Sequence, residues 1–130
     1  MTTPIEALDR LDAHAKELDT LSRGLAEVQR QLEPVEVNYQ AFVDDFEVGL
    51  YLKSEQEDGP RLPSEAMRLK LARRAMAPEL LGKRDGLIRK RDRMAKRIDD
   101  LSRVCNAERS ILSALKEEMN ATSVSVRRAA

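Results

Sequence analysis

From Pro78 to about Asn120 the chain places Leu80, Arg84, Leu87, Arg91, Met94, Ile98, Leu101, Cys105, Glu108, Leu112, Leu115 and Met119 at alternating steps of four and three residues. Apolar side chains fill nine of these twelve positions, which is the seam of a coiled coil with three charged interruptions. A helix over this stretch would rise about 65 Å, far beyond an ordinary globular helix, so it has to lie against another extended element. The pattern therefore predicts an all-α chain built as an elongated antiparallel helical hairpin or coiled coil. Two Phe, two Tyr and no Trp leave an aliphatic core as the only kind available.

The matching first arm opens at Thr3-Pro4-Ile5-Glu6, where Thr suits the N-cap, Pro the first helical position and Glu the reciprocal place of a capping box. Behind it the spacing suggests a seam at Leu8, Leu11, Ala15, Leu18, Ser22, Leu25, Gln29 and Leu32, with Leu21, Val28 and Val35 flanking it. Glu33-Pro34 predicts a kink. Residues 35–52 read two ways. Alternation of Val35, Val37, Tyr39, Ala41 and Val43, then of Phe46, Val48, Leu50 and Leu52, fits a β-hairpin; Val35, Tyr39, Phe42, Val43, Phe46 and Leu50 fit one helical stripe. The helix is preferred, because Asp44-Asp45 lacks the Gly that a two-residue hairpin turn favours.

Gly59-Pro60 marks the reversal of the chain. The expected organisation is one helical coiled-coil domain over 1–121, with an acidic arm 4–53, a loop 54–62 and a basic arm 63–121, followed by a flexible tail 122–130. Pro63 is expected to open a short helix with Ala66, Met67, Leu69, Leu71 and Ala75 on its apolar side, and Ala77-Pro78 to mark a kink or a new start.

Charge is sorted along the arms. Residues 1–60 carry 5 basic and 14 acidic side chains, residues 61–97 carry 13 and 4, and the remainder 5 of each, so local nets of −9 and +9 sum to a neutral chain. Poles of opposite sign attract, within a molecule, between copies, or toward an outside partner. Asp85 with Arg89, Asp92 with Lys96 and Asp99 with Arg103 repeat an acid-then-base pair at i and i+4, the pattern of a solvated ladder. Lys83, Arg84, Lys90, Arg91, Arg93 and Arg97 have no such regular acid and are the candidates for contacting a protein partner or phosphate. Aromatic side chains are missing from that basic stretch, which argues against stacking on single-stranded nucleic acid. Arg84, Arg91 and Glu108 either set register on the seam or send their charged heads out to water.

Chemistry has little to work with. His14 has no second His and no nearby Cys for a metal site, the five glycines are scattered rather than gathered in a phosphate loop, and Cys105 lies on the apolar seam as a small hydrophobe. Asp44, Asp45 and Glu47 lack calcium-loop spacing. No enzyme activity, cofactor or metal is expected, nor any membrane span, and the reading is of a cytoplasmic protein.

At Arg97-Ile98-Asp99-Asp100-Leu101-Ser102-Arg103, followed by Glu108-Arg109-Ser110, the chain resembles small helical coiled-coil proteins of tailed-phage and prophage early regions. That resemblance implies an accessory or inhibitor role beside DNA recombination or replication factors, or in host interaction, within the host cytoplasm. By shape alone the chain is also similar to rod-like hairpin escorts of type III secretion. The function expected is that of a non-enzymatic binding protein that self-associates through Leu11, Leu18, Leu25, Leu32, Leu87, Met94, Ile98, Leu101, Leu112 and Leu115 and binds another protein. Direct nucleic-acid binding by the basic helix 83–97 is the alternative, and a secretion or assembly escort a third reading.

Overall fold

The computed structural model describes residues 3–129, with side chains through Thr122. Three helices account for it: α1 (Pro4–Ser54), α2 (Glu65–Ala75) and α3 (Pro78–Ala129). No strand is present among the described residues, so residues 35–52 take the helical reading. Among the described residues no helix is long and apolar enough to cross a membrane.

Local chemistry sets the ends. Glu6 N–H donates to Thr3 Oγ1 at 3.2 Å while Thr3 N–H donates to Glu6 Oε2 at 3.3 Å, the reciprocal capping box. Pro34 does not end α1, which runs on to Ser54. Its missing N–H frees one backbone carbonyl, and its own exposure leaves that flank to water, while buried Leu32, Val35 and Tyr39 hold the helix on its other side. Past Ser54 the chain turns through Asp58, whose φ of 61° is left-handed, a conformation Asp tolerates better than most residues. Gly59 follows because a Cβ there would strike the Lys53 carbonyl. Helix α2 starts at Glu65 rather than at Pro63: Ser64 is the N-cap, its hydroxyl accepting from Met67 N–H at 3.3 Å. At Pro78 the chain breaks outright. Met76 is extended, the residue before a proline resists helix, and α3 begins afresh with proline at its first position.

The chain divides into two units, Met1–Leu25 with Arg93–Ala130, and Ala26–Asp92. In the first, α1 and α3 run antiparallel: His14 meets Glu108, Glu17 meets Arg97, and a Cβ on Gly24 would touch the Met94 methyl. Its core is aliphatic, with Ala7, Leu101, Cys105 and Leu112 buried and Leu11, Leu18, Leu21, Leu25, Met94, Ile98 and Leu115 half-buried. The second unit holds every aromatic residue of the chain. Tyr39, Val43, Ala72 and Met76 form its core, with Phe42, Phe46, Leu80 and Leu81 packed around them.

On α1 the buried column differs from the expected one. The leucines 11, 18, 25 and 32 do face inward, but their partners are Ala7, His14, Leu21, Val28 and Val35, whereas Leu8, Ala15, Ser22 and Gln29 are exposed. Both columns satisfy heptad spacing. The observed one is chosen because it buries Val28 and Val35 instead of Ser22 and Gln29. On α3 every expected seam position is at least half-buried except Met119, which is exposed. The expected tail, 122–130, lies beyond the described side chains apart from Thr122. Helix α2 turns Arg68, Leu71 and Ala72 inward and leaves Ala66, Met67, Leu69 and Ala75 outside, so that of the apolar side expected for it only Leu71 faces in.

Candidate functional site

The polar residues that the fold gathers most tightly lie in the second unit, around Tyr39. Heptad spacing carries Tyr39 to the inner face of α1 four residues after Val35, and only 6% of it is exposed. The Arg84 guanidinium from α3 sits over its ring, 3.8 Å from the centroid, a cation–π contact strengthened by partial burial. From α2, Arg73 Nη1 donates to the Tyr39 hydroxyl at 3.2 Å and Nη2 donates to Asp85 Oδ2 at 3.2 Å. The Tyr39 hydroxyl, ahead of Asp85, holds Arg73 further toward its charged form. Asp85 also lies 3.5 Å from Arg84 Nη1, so one carboxylate bridges two guanidinium groups.

Glu36 completes the cluster. Its Oε1 is 2.6 Å from Arg84 Nε, yet the N–H does not point along that line, and both buried atoms lack a hydrogen bond of proper geometry. The two charges attract without satisfying each other's directional needs. Such a pair contributes less to stability than its distance suggests, and its better-attested use is in fixing register and partner choice. Beside it runs an open groove of about 610 Å³ lined by Tyr39, Gln40, Val43, Glu47, Glu65, Ala66, Leu69 and Arg84. Glu47 on that wall pairs with Arg68 of α2 at 3.3 Å, and Arg68 in turn lies 5.5 Å from the centre of the Tyr51 ring.

Among its described residues the first unit buries one charge, Glu108, on the α3 seam. It faces His14 Nδ1 at 3.1 Å, with Arg10 Nε at 4.0 Å from its other oxygen. Which ring nitrogen of His14 carries the proton is set by that contact, since a neutral His must present N–H to the carboxylate to bond it.

Of the six basic residues singled out by sequence, Arg84 is drawn to Glu36 and Tyr39, Arg97 donates to Glu17 at 3.0 Å, and Arg91 pairs with its neighbour Asp92 at 3.2 Å. Lys83, Lys90 and Arg93 are exposed and join no ion pair among the described residues. Three of the six are therefore paired within the chain and three are not. The acid-base ladder survives only at Asp99–Arg103, 2.8 Å apart, because Asp85 finds the two guanidinium groups of Arg73 and Arg84, and Asp92 takes Arg91. On the seam, Glu108 and Arg84 keep their charges inside with partners, whereas the Arg91 side chain remains 39% exposed. Leu32, Leu101 and Leu112, expected as contacts between copies, are buried within the chain.

Glu36, Tyr39, Arg68, Arg73 and His14 escaped sequence reading as site residues. His14 could have been found by preferring the Val28–Val35 column, which it shares at seven-residue spacing, whereas Tyr39 continues the leucine column seven residues after Leu32 and was read only as part of an apolar stripe. The arginines of α2 could not, since their partners are fixed only once α2 packs. Among the described residues no group of three or more His, Cys, Asp and Glu side chains is placed to hold a metal ion. The chain matches no family model, no curated protein and no solved structure.

Proposed function

We propose that this chain is a non-enzymatic helical binding protein that associates with copies of itself and with another protein, in the setting of phage-type accessory factors of DNA recombination, replication or host interaction. The observation that carries the binding role is the half-covered seam. Leu11, Leu18, Leu25, Leu87, Met94, Ile98 and Leu115 remain partly accessible after intrachain packing, and Ile5, Leu8, Val104 and Ile111 are exposed. The chain exposes 9889 Å². A globular monomer of its mass exposes about 6,900 Å², and even two separate globules of half that mass about 8,400 Å². The exposed apolar side chains within that large surface favour association.

Protein rather than nucleic acid is the partner that the basic stretch supports, because Arg84 and Arg97 already meet α1 carboxylates. A phosphate-tracking surface needs its cations outward and unengaged. The phage setting rests on residues 97–110, where Ile98, Leu101 and Glu108 serve the seam. Light-scattering mass across micromolar concentrations tests the binding role: growth of mass with concentration is expected, and a constant monomer mass refutes self-association. Electrophoretic shift of duplex and single-stranded DNA, with a log-log salt slope of several units at physiological salt, would establish the nucleic-acid reading instead. Enrichment of a recombination or replication protein with the tagged chain in phage-infected host cells is the corresponding test of the setting.

A further inference from the structure

Two outward faces of the second unit are left with complementary chemistry. On α1, Val37, Val48 and Leu52 are 63%, 56% and 59% exposed and Tyr51 is 44% exposed, on the side away from buried Val35, Tyr39 and Val43. At 100° per residue these four fall on one stripe; midway along its length Asp44 lies within it and Asp45 just beyond its edge. On α3, Gly82 and Gly86, one turn apart, have nothing within 4 Å of where a Cβ would stand. Lys83, Arg89 and Lys90 surround this bare stretch of backbone and are exposed. Neither these bases nor the two aspartates join an ion pair among the described residues.

We infer that the α1 stripe of one copy docks on the Gly82–Gly86 face of a second copy, with Asp44 and Asp45 meeting Lys83 and Lys90. The inference rests on the self-association proposed above and names its surface. Charge decides the occupant. A stripe facing its own like in a symmetric pair would bring four aspartates together, whereas the basic α3 face pairs each with a cation. The glycines suit the same partner, since β-branched Val48 and the Leu52 side chain one turn on can seat against backbone that carries no side chain. The contact joins unlike faces of successive copies, so it is heterologous and adds copy to copy until a ring closes.

Sedimentation equilibrium of the full chain tests this with charge reversal. D44K/D45K and K83E/K90E are each expected to weaken self-association by about tenfold or more, and the chain carrying all four changes to recover most of the loss, since the reversed faces again complement each other. Gly86→Leu should weaken association while raising the thermal midpoint of the helices, which separates a lost docking floor from a damaged fold. A wild type that associates but is indifferent to all these changes overturns the inference and leaves self-association standing. A wild type that stays monomeric overturns both, and leaves the acidic stripe to a basic partner other than this chain.

Discussion

Tyr39 makes the division between packing and polar contact measurable. Its ring is buried under Arg84, and its hydroxyl is one acceptor for Arg73. Tyr39→Phe keeps the ring and removes the acceptor, so a loss of about 0.5–1.5 kcal/mol is expected. Tyr39→Ala removes both and should cost about 3–5 kcal/mol. Urea unfolding of the two variants separates these; equal losses would mean that the hydroxyl, not the ring, anchors the cluster. Glu108 invites the opposite experiment. His14→Ala leaves its carboxylate buried with only Arg10 at 4.0 Å, and a loss of about 1–3 kcal/mol is expected. Replacing His14 and Glu108 together by Leu should restore that loss or exceed it, because a packed apolar pair needs no desolvated charge. A double variant less stable than His14→Ala would show that the polar pair itself stabilises the helices. Glu27, held below the ordinary carboxylate range by the Arg30 side chain and then by Gln31, provides a pH marker. Its contact is complete above the ordinary Glu pKa and is lost as pH falls through the lowered value. A carboxyl NMR titration should show the depressed midpoint while helix content, to which this exposed pair contributes little, stays constant.

Helix α1 and helix α2 respond to their punctuation differently. Ser64 caps α2, so Ser64→Ala should destabilise the second unit by about 1 kcal/mol, visible as faster amide exchange over residues 65–75. Gly82 stands within α3 with open space around it. Gly82→Ala should therefore stabilise the helix by about 1 kcal/mol, read from the thermal midpoint in dilute solution. A fall in that midpoint would mean the glycine packs against something within the chain. Pro34 is tolerated inside α1 by the packing of its neighbours, where an isolated peptide of the same sequence would break.

Across the whole molecule, a fully buried seam position serves the chain's own fold, whereas a half-buried one is left to meet a partner. Leu101, 2% exposed, is spent inside the chain, so Leu101→Ala should lower stability by about 2–5 kcal/mol and reduce helicity at every concentration. Circular dichroism at dilute and concentrated protein checks this; a loss of helicity only in the dilute sample would place Leu101 between copies instead. Salt is expected to weaken assembly only modestly, because exposed pairs such as Arg97–Glu17 contribute little each.

Sequence by itself determined the helical class, the capping box at Thr3, the reversal at Gly59 and the α3 seam from Leu80 to Leu115. Each of these rests on spacing or on backbone chemistry within a few residues. Helical period also correctly outweighed strand alternation over 35–52, since Tyr39, Val43 and Phe46 needed one face on which to bury. Which of two heptad columns on α1 turns inward was only partly legible, because both contain leucines 11, 18, 25 and 32; the greater apolarity of Val28 and Val35 over Ser22 and Gln29 is written in the sequence, but it counts only once the helix packs. For the same reason His14 looked like one more exposed polar residue until the register set it against Glu108. The basic residues show the limit most plainly. Composition gave their number, but their availability depends on which carboxylates lie within reach: Glu36 and Glu17 reach Arg84 and Arg97 only through packing of α1 on α3, and Asp85 reaches Arg73 only across the break between α2 and α3.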